Sequence, residues 1–437
     1  MLGAFVSAFK TPDLRRKLLF TLGIVALYRL GSTTPTPGVS YKNIQACVQS
    51  IGDNSIYGLI NLFSGGALLQ LTVFALGVLP YITASIIFQL LTVVIPRLET
   101  LQKEGPSGQA KITQYTRYLT LALAILQSTA LLAIAREPGR FIQGCDKDII
   151  PNQSLFVIIT MVLVMTAGTA LVMWFAELIT DRGVGNGMSL LIFTSIIAGL
   201  PGQIWSIYRT KSLLVTVFVV IIGIAIITGI VFVEQAQRRI PVQYAKRMVG
   251  RKQYGGTSTY LPLKLNMAGV IPVIFASSLL YLPVLVTQLV APSGSTKLPP
   301  GWVSWINNNF TRGDHPIYVL SYAALIIFFT YFYIAITFNP VDVSDDMKKF
   351  GGFIPGIRAG RPTAEYLDYV ISRITFPGSI YLAVIAVVPL VAFQYLGVGQ
   401  KFIFGGTSIL IIVGVGLDTV KQIQSQLQQR NYEGFLR

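Results

Sequence analysis

Residues 58–95 read GLINLFSGGALLQLTVFALGVLPYITASIIFQLLTVVI and hold two apolar segments of unequal reach. The second, about 74 to 95, is long enough to cross a hydrocarbon layer of about 30 Å as a helix of about 20 residues. The first, 58 to 71, rises about 1.5 Å per residue and reaches only about halfway, and Gly65-Gly66 interrupts it. A backbone that stops at membrane depth needs its ends covered by protein or open to a water-filled cavity. Interrupted segments of this kind mark transport sites in membrane transporters. The other reading is an amphipathic helix lying in an outer loop, and the residues alone leave both open.

The rest of the chain is of the same kind. Of 437 residues, 53% are apolar and 12% charged, with a mean hydropathy of +0.63. A soluble domain carries roughly 25% charged residues, so this composition cannot make a soluble coat. Apolar runs of spanning length lie near 18–34, 74–95, 116–135, 154–176, 188–207, 213–233, 267–290, 317–338, 374–394 and 402–420. They predict an all-α polytopic membrane protein with ten transmembrane helices.

The net charge of +16 would suggest nucleic acid in a soluble protein. Sorted by alternate loops it becomes an orientation signal: with the N-terminus inside, 24 of the 34 Lys and Arg fall on the inner side, and both termini are expected in the cytoplasm. Two inner loops, 234–266 and 339–373, carry more basic residues than orientation needs, interleaved with Tyr, Gly and Pro. They are docking surfaces for an acidic protein or RNA phosphates, or orientation determinants that also touch anionic lipid. Leu2, Phe5, Val6 and Phe9 stand at helical spacing ahead of Arg15-Arg16-Lys17. This suits a short helix on the inner membrane face or a frayed tail, and the cluster leads into a first span expected to stay as an anchor.

The chemistry is narrowed by what is scarce. His315 is the only histidine, which excludes a histidine metal cluster and leaves one His, before Pro316, for any His-based triad. No Gly-Lys dipeptide occurs, so there is no Walker A loop, and energy is expected from outside. No catalytic residue, cofactor or metal is assigned, and the chain is not expected to be an enzyme. The ionisable residues within the predicted spans are Arg29, Arg117 and Asp418, each near an end, which form no proton relay. Gln89 and Gln127 are deep but uncharged and read as interhelical hydrogen-bond formers. Cys47 and Cys145 both fall in predicted outer loops, where oxidation can occur, and sequence alone leaves their pairing open. A pathway without fixed charge suits a conduit that does not discriminate by charge, and equally a non-conducting scaffold. A secondary transporter of small solutes is set back by the lack of deep carboxylates.

Four further motifs accompany the opening stretch. Asn61-Leu-Phe-Ser-Gly-Gly-Ala-Leu leads to Ala75-Leu-Gly-Val-Leu-Pro-Tyr-Ile-Thr-Ala-Ser-Ile-Ile-Phe-Gln-Leu-Leu. After it come Asp181-Arg-Gly-Val-Gly-Asn-Gly-Met-Ser, Leu265-Asn-Met-Ala-Gly-Val-Ile-Pro-Val-Ile-Phe-Ala-Ser-Ser, Phe353-Ile-Pro-Gly-Ile-Arg-Ala-Gly-Arg-Pro-Thr and Phe404-Gly-Gly-Thr-Ser. In sequence and order, from about residue 10 to 437, they resemble the SecY protein-conducting channel family, the bacterial form most closely.

The resemblance implies two inverted halves of five helices each, with a short half-helix plug. Residues 1–17 would be a cytoplasmic amphipathic segment, and 18–207 the N-terminal half with helices one to five and the plug at 59–71. Residues 208–420 would be the C-terminal half with helices six to ten and docking loops 234–266 and 339–373, and 421–437 a cytoplasmic tail. Plug residues would include Asn61, Phe63, Ser64, Gly65, Gly66 and Leu68. Helices two, about 74–95, and seven, about 267–290, would face each other as a lateral gate. Matching positions for the family's pore ring are Ile82, Ile86, Ile192, Ile274 and Ile411. Such aliphatic side chains close a narrow pore by excluding water while forming no directional bond to a passing chain. The resemblance further implies clamping by SecE, often with SecG. Arg251 and Lys252 match a ribosome-contacting basic pair, and Arg358 matches an arginine important for the SecA motor. Lys252 stands where relatives also carry arginine, and lysine lacks the bidentate fork. The expected role is the central channel subunit of a translocase in the plasma membrane. It would pass unfolded, signal-bearing polypeptides across and release membrane helices sideways into lipid, driven by SecA or the ribosome.

Overall fold

The computed structural model describes residues 9–49, 65–136, 147–210, 213–244, 247–249, 252–254, 258–290, 300–310, 315–395 and 406–433. A helix stands at each of the ten apolar runs. These are α1 (Pro12–Thr33), α3 (Leu79–Val94), α5 (Pro106–Ala135), α6 (Leu155–Arg182), α7 (Gly187–Thr210), α8 (Leu213–Gln235), α9 (Ile271–Val290), α11 (Pro316–Thr337), α13 (Arg361–Tyr395) and α14 (Gly406–Glu433). Shorter helices stand between them: α2 (Tyr41–Gln49), α4 (Pro96–Lys103), α10 (Gly301–Phe310) and α12 (Pro340–Lys349). By length and composition, five helical stretches among the described residues can cross a membrane, or six if the bent pair α3–α4 counts as one.

Local chemistry sets the boundaries. Pro96 pushes Ile95 into the extended region (φ −102°, ψ 109°), and the chain turns by 101° between α3 and α4. Ser154 caps α6 by accepting from the Val157 N–H, and Asn339 caps α12 by accepting from the Val341 N–H. The single histidine serves the same purpose: His315 Nδ1 accepts from the Ile317 N–H at the start of α11.

The all-α expectation is corrected in the first inner loop. Residues 237–264 form a long hairpin in which β1 (Gln237–Tyr244) pairs antiparallel with β4 (Ser258–Lys264). Between them β2 (Arg247–Val249) pairs with β3 (Lys252–Tyr254), and β5 (Gly352–Phe353), from the second inner loop, adds to β1. Ile240 and Val242 alternate inward from β1, and Ile240 packs with Leu263, Ile354, Leu367 and Ile371 in a small core of its own. The two basic loops are therefore one unit. Arg239 lies over the Tyr260 ring at 4.8 Å, using an aromatic that the sequence placed among the basic residues.

The half-helix expectation is also corrected where the structure describes it. Residues 65–71 form turns, because Gly65, Gly66 and Leu71 all have positive φ (64°, 95° and 46°), which stops a right-handed helix. Residues 59–64 lie outside the described residues. The turns are held to the end of α1 by Thr36 N–H to Leu71 O (3.1 Å) and Val73 N–H to Thr34 O (3.0 Å). Cys47 is disulfide-bonded; the other cysteine of the chain, Cys145, lies outside the described residues.

Lipid is as apolar as leucine, so close backbone approach holds such helices together more than expulsion of water does. At Gly168 in α6 the Val73 carbonyl comes so near that a Cβ would sit 2.0 Å from its oxygen. Gly168→Val is expected to cost about 1–3 kcal/mol through overpacking and to lower the thermal unfolding midpoint in detergent. Gly23→Ala, which meets open space, should leave that midpoint in place; equal midpoints for the two variants would refute the packing role.

Candidate functional site

Each quoted motif reaches the start of a helix, and three of these starts, at α7, α9 and α14, are fixed by specific contacts. Between α6 and α7, Gly183 N–H donates back to Ile179 O (2.8 Å), and Val184 N–H donates to Thr21 Oγ1 of α1 (3.2 Å). Asn186 Oδ1 then accepts from the N–H groups of Met188 (3.1 Å) and Ser189 (3.3 Å). Gly187 fits so tightly on α6 that a Cβ would sit 1.9 Å from the Ala176 carbonyl oxygen. At the start of α14 the hydroxyls of Thr407 and Tyr322 share a 2.6 Å hydrogen bond. Before α9, Asn266 Nδ2 donates to Glu234 Oε2 and to the Gly269 carbonyl, each at 3.1 Å.

These starts deliver the isoleucines to one place. Ile82 and Ile86 lie a turn apart on α3, while Ile192, Ile274 and Ile411 lie within the first two turns of α7, α9 and α14. All five belong to one apolar cluster: Ile82, Ile86, Ile192 and Ile411 are buried, and Ile274 is half-buried against them. The cluster draws on both halves of the chain. They meet on one side where α9 packs on α3 and α5, and on the other where α7 packs on α8 and α14.

A cavity of about 550 Å³ opens onto this cluster. Its buried end is formed by Ile192, Ile274 and Ile411, and its outer end carries Lys264, Asp418 and Lys421. Lys264 Nζ and Asp418 Oδ1 stand 3.5 Å apart, and both side chains are largely open to solvent. A polar mouth thus leads to an aliphatic floor. On α7, Ser195 lies one turn beyond Ile192 and holds the hydroxyl of the fully buried Tyr28 at 2.7 Å. Gly65 comes against this same turn, where a Cβ would meet the Ser195 Cα at 3.1 Å, and its carbonyl accepts from Arg29 Nη1 at 3.4 Å. Leu68 is buried in a second apolar cluster with Leu71, Leu132 and Met165. The remaining expected plug residues, Asn61, Phe63 and Ser64, lie outside the described residues.

Lys252 opens β3 opposite Val249 at the hairpin tip, and Arg251 lies outside the described residues. Arg358 is exposed in the turn after β5, where its carbonyl accepts from Thr363 Oγ1 at 2.8 Å.

The ionisable content of the helices needs correction, since α6 and α8 run past the ends read from hydropathy and take in Glu177 and Glu234. Glu177 receives Arg117 in a two-pronged pair, Nε to Oε1 at 2.8 Å and Nη2 to Oε2 at 2.9 Å, which joins α5 to α6. Glu234 is buried and tied to Asn266. Gln89 lines a separate, neutral polar cavity of about 360 Å³ between α3, α5 and α11.

Residues 72–420 match the SecY family model. The chain belongs to the SecY family. A relative from Streptomyces galbus, the protein translocase subunit SecY, is 63% identical over 443 residues, covering all of both chains. Two solved structures share the fold at lower identity. One, described as showing that the plug domain of the SecY protein stabilises the closed state of the translocation channel and maintains a membrane seal, has a TM-score of 0.63 at 17% identity, covering 94% of this chain and 91% of that one. The other is Sec61 in the canine ribosome-channel complex from the endoplasmic reticulum, with a TM-score of 0.60 at 16% identity over the same shares. Each motif quoted from the sequence spans the start of a helix, and four of them lead into the helices that carry the five isoleucines.

The Arg117–Glu177 pair is expected to couple by about 1 kcal/mol, modest because Arg117 is 41% exposed. Thermal unfolding of Arg117→Ala, Glu177→Ala and the double variant checks this: the double should lose less than the sum. Strictly additive losses would mean no coupling.

Proposed function

We propose that this chain is the channel-forming subunit of a plasma-membrane protein translocase, passing unfolded polypeptides across and releasing membrane helices into lipid. One observation carries it: a solvent-open cavity with a polar mouth ends on isoleucines contributed by helices of both halves. An extended polypeptide exposes backbone amides that hydrocarbon cannot accommodate, so it needs an aqueous route. Between passages that route must be shut to ions. Aliphatic side chains do this by excluding water and release the chain without breaking directional bonds.

In this reading Ile82, Ile86, Ile192, Ile274 and Ile411 form the pore ring. The approach of Gly65 to α7 one turn beyond Ile192 supports a plug that includes Gly66 and Leu68. The contact of α3 with α9 supports a lateral gate between them, because it is a seam between the halves of the chain. The ten helices would then be ten spans in two inverted halves, with both termini cytoplasmic. The exposed hairpin bearing Lys252 and the turn bearing Arg358 would meet the ribosome and SecA, with SecE and SecG as neighbouring subunits. The high identity to a translocase subunit and the ribosome-bound Sec61 relative support these partners.

A secretory chain stalled in membranes should crosslink to a probe at position 274, and failure with every stalled chain would count against the channel. Ile274→Asn or Ile411→Asn buries an amide in the apolar cluster, a cost of about 1–3 kcal/mol. Export of substrates with defective signals should therefore rise about tenfold. Unchanged ion leak and unchanged selectivity would remove these residues from the pore.

A further inference from the structure

The cytoplasmic hairpin and the pore cluster are joined through very little chain. Strand β4 ends at Lys264, Leu265 N–H closes the hairpin on Ala236 O (3.0 Å), and Ile274 follows in the first turn of α9. Ala268 packs into the small apolar core and the Leu265 carbonyl comes close to Gly378 of α13, and beyond this packing two polar contacts fix the neck. Lys264 pairs with Asp418 on α14, seven residues after Ile411, but at 3.5 Å with side chains 42% and 67% exposed. Solvent screens such a pair, and exposed pairs contribute little. The other contact is buried: Asn266 Nδ2 bridges the Glu234 carboxylate at the end of α8 and the Gly269 carbonyl two residues before α9.

A hydrogen bond to a buried carboxylate is worth more than a neutral one, and its loss takes from Glu234 the donor that Asn266 supplies. Glu234, Asn266 and Gly269 also line the 550 Å³ cavity beside Ile274, which leaves the start of α9 room to move.

Resting on the channel assignment above, we propose that Asn266 and Glu234 are positioning residues that set the start of α9, and with it Ile274, relative to the hairpin. Force or docking at the hairpin reaches the apolar seal through this pair and not through Lys264–Asp418. Loss of the pair lets the start of α9 move away from α8 and carries Ile274 out of the cluster, opening the seal while leaving the apolar residues intact.

The test uses the full chain in membranes with its native partners. It measures export of a reporter with a disabled signal sequence and of the same reporter with an intact one, each normalised to the abundance of the variant. Asn266→Asp sets two carboxylates together and should raise export of the disabled reporter about tenfold, the order expected for a buried charge-assisted bond. Adding Glu234→Gln restores the bond between positions 234 and 266 in reverse, though not the bond to the Gly269 carbonyl, and should bring the leak down by about threefold. Asp418→Asn, which breaks only the solvent-screened pair, should leak no more than about a third as much as Asn266→Asp. Ile274→Asn is the reference for a broken seal. If Ile274→Asn leaks but Asn266→Asp does not, or if the reversed pair gives no recovery, the positioning role is overturned and the channel stands. If Ile274→Asn itself does not leak, the channel assignment and this coupling fall together.

Discussion

Aliphatic side chains in contact exclude water, and they do so without holding on to anything that later pushes between them. Five isoleucines drawn from four helices meet in this way, and the surrounding structure is arranged to bring them together. None of the four helices could place its isoleucine alone. Each depends on a start fixed by a turn, a cap or a close backbone approach, as at Gly187 against Ala176 or Thr407 against Tyr322.

The arrangement makes the helix starts, rather than the helix interiors, the sensitive parts of the molecule. In lipid the interiors are exchangeable to first order, because one apolar side chain facing hydrocarbon resembles another. A start that must turn with φ near +88° at Gly185, cap with Asn186 and fit Gly187 on α6 has few alternatives. The stretches that carry the family likeness accordingly all include a helix start. The same economy extends to the cytoplasmic side, where one small sheet fuses two basic loops and ends two residues before the Asn266 tie.

Much of this was legible from residues alone. Hydropathy located every long helix, since a run of about 20 apolar residues has few other uses, and Gly65-Gly66 marked the place where regular helix fails. The five isoleucines became candidates only through the motif likeness, because any one of them is indistinguishable from a lipid-facing or core residue. Hydropathy misjudged the helix ends at Glu177 and Glu234, where a carboxylate reads as loop although a partner keeps it within the helix. It also missed the hairpin, whose alternation at Ile240 and Val242 is short and holds Pro241, a residue that argues against a strand.

Composition and period are local, and they determined what is local: the membrane class, the helix positions, the interrupted segment and the basic inner loops. Tertiary structure decided which residues meet across long separations in the chain. It paired Arg117 with Glu177 and Tyr28 with Ser195, joined the two basic loops into one sheet, tied Asn266 to Glu234, and turned scattered isoleucines into the floor of a cavity. The physical reason is that burial and hydrogen-bond partnership belong to pairs of groups, while a sequence displays each group singly.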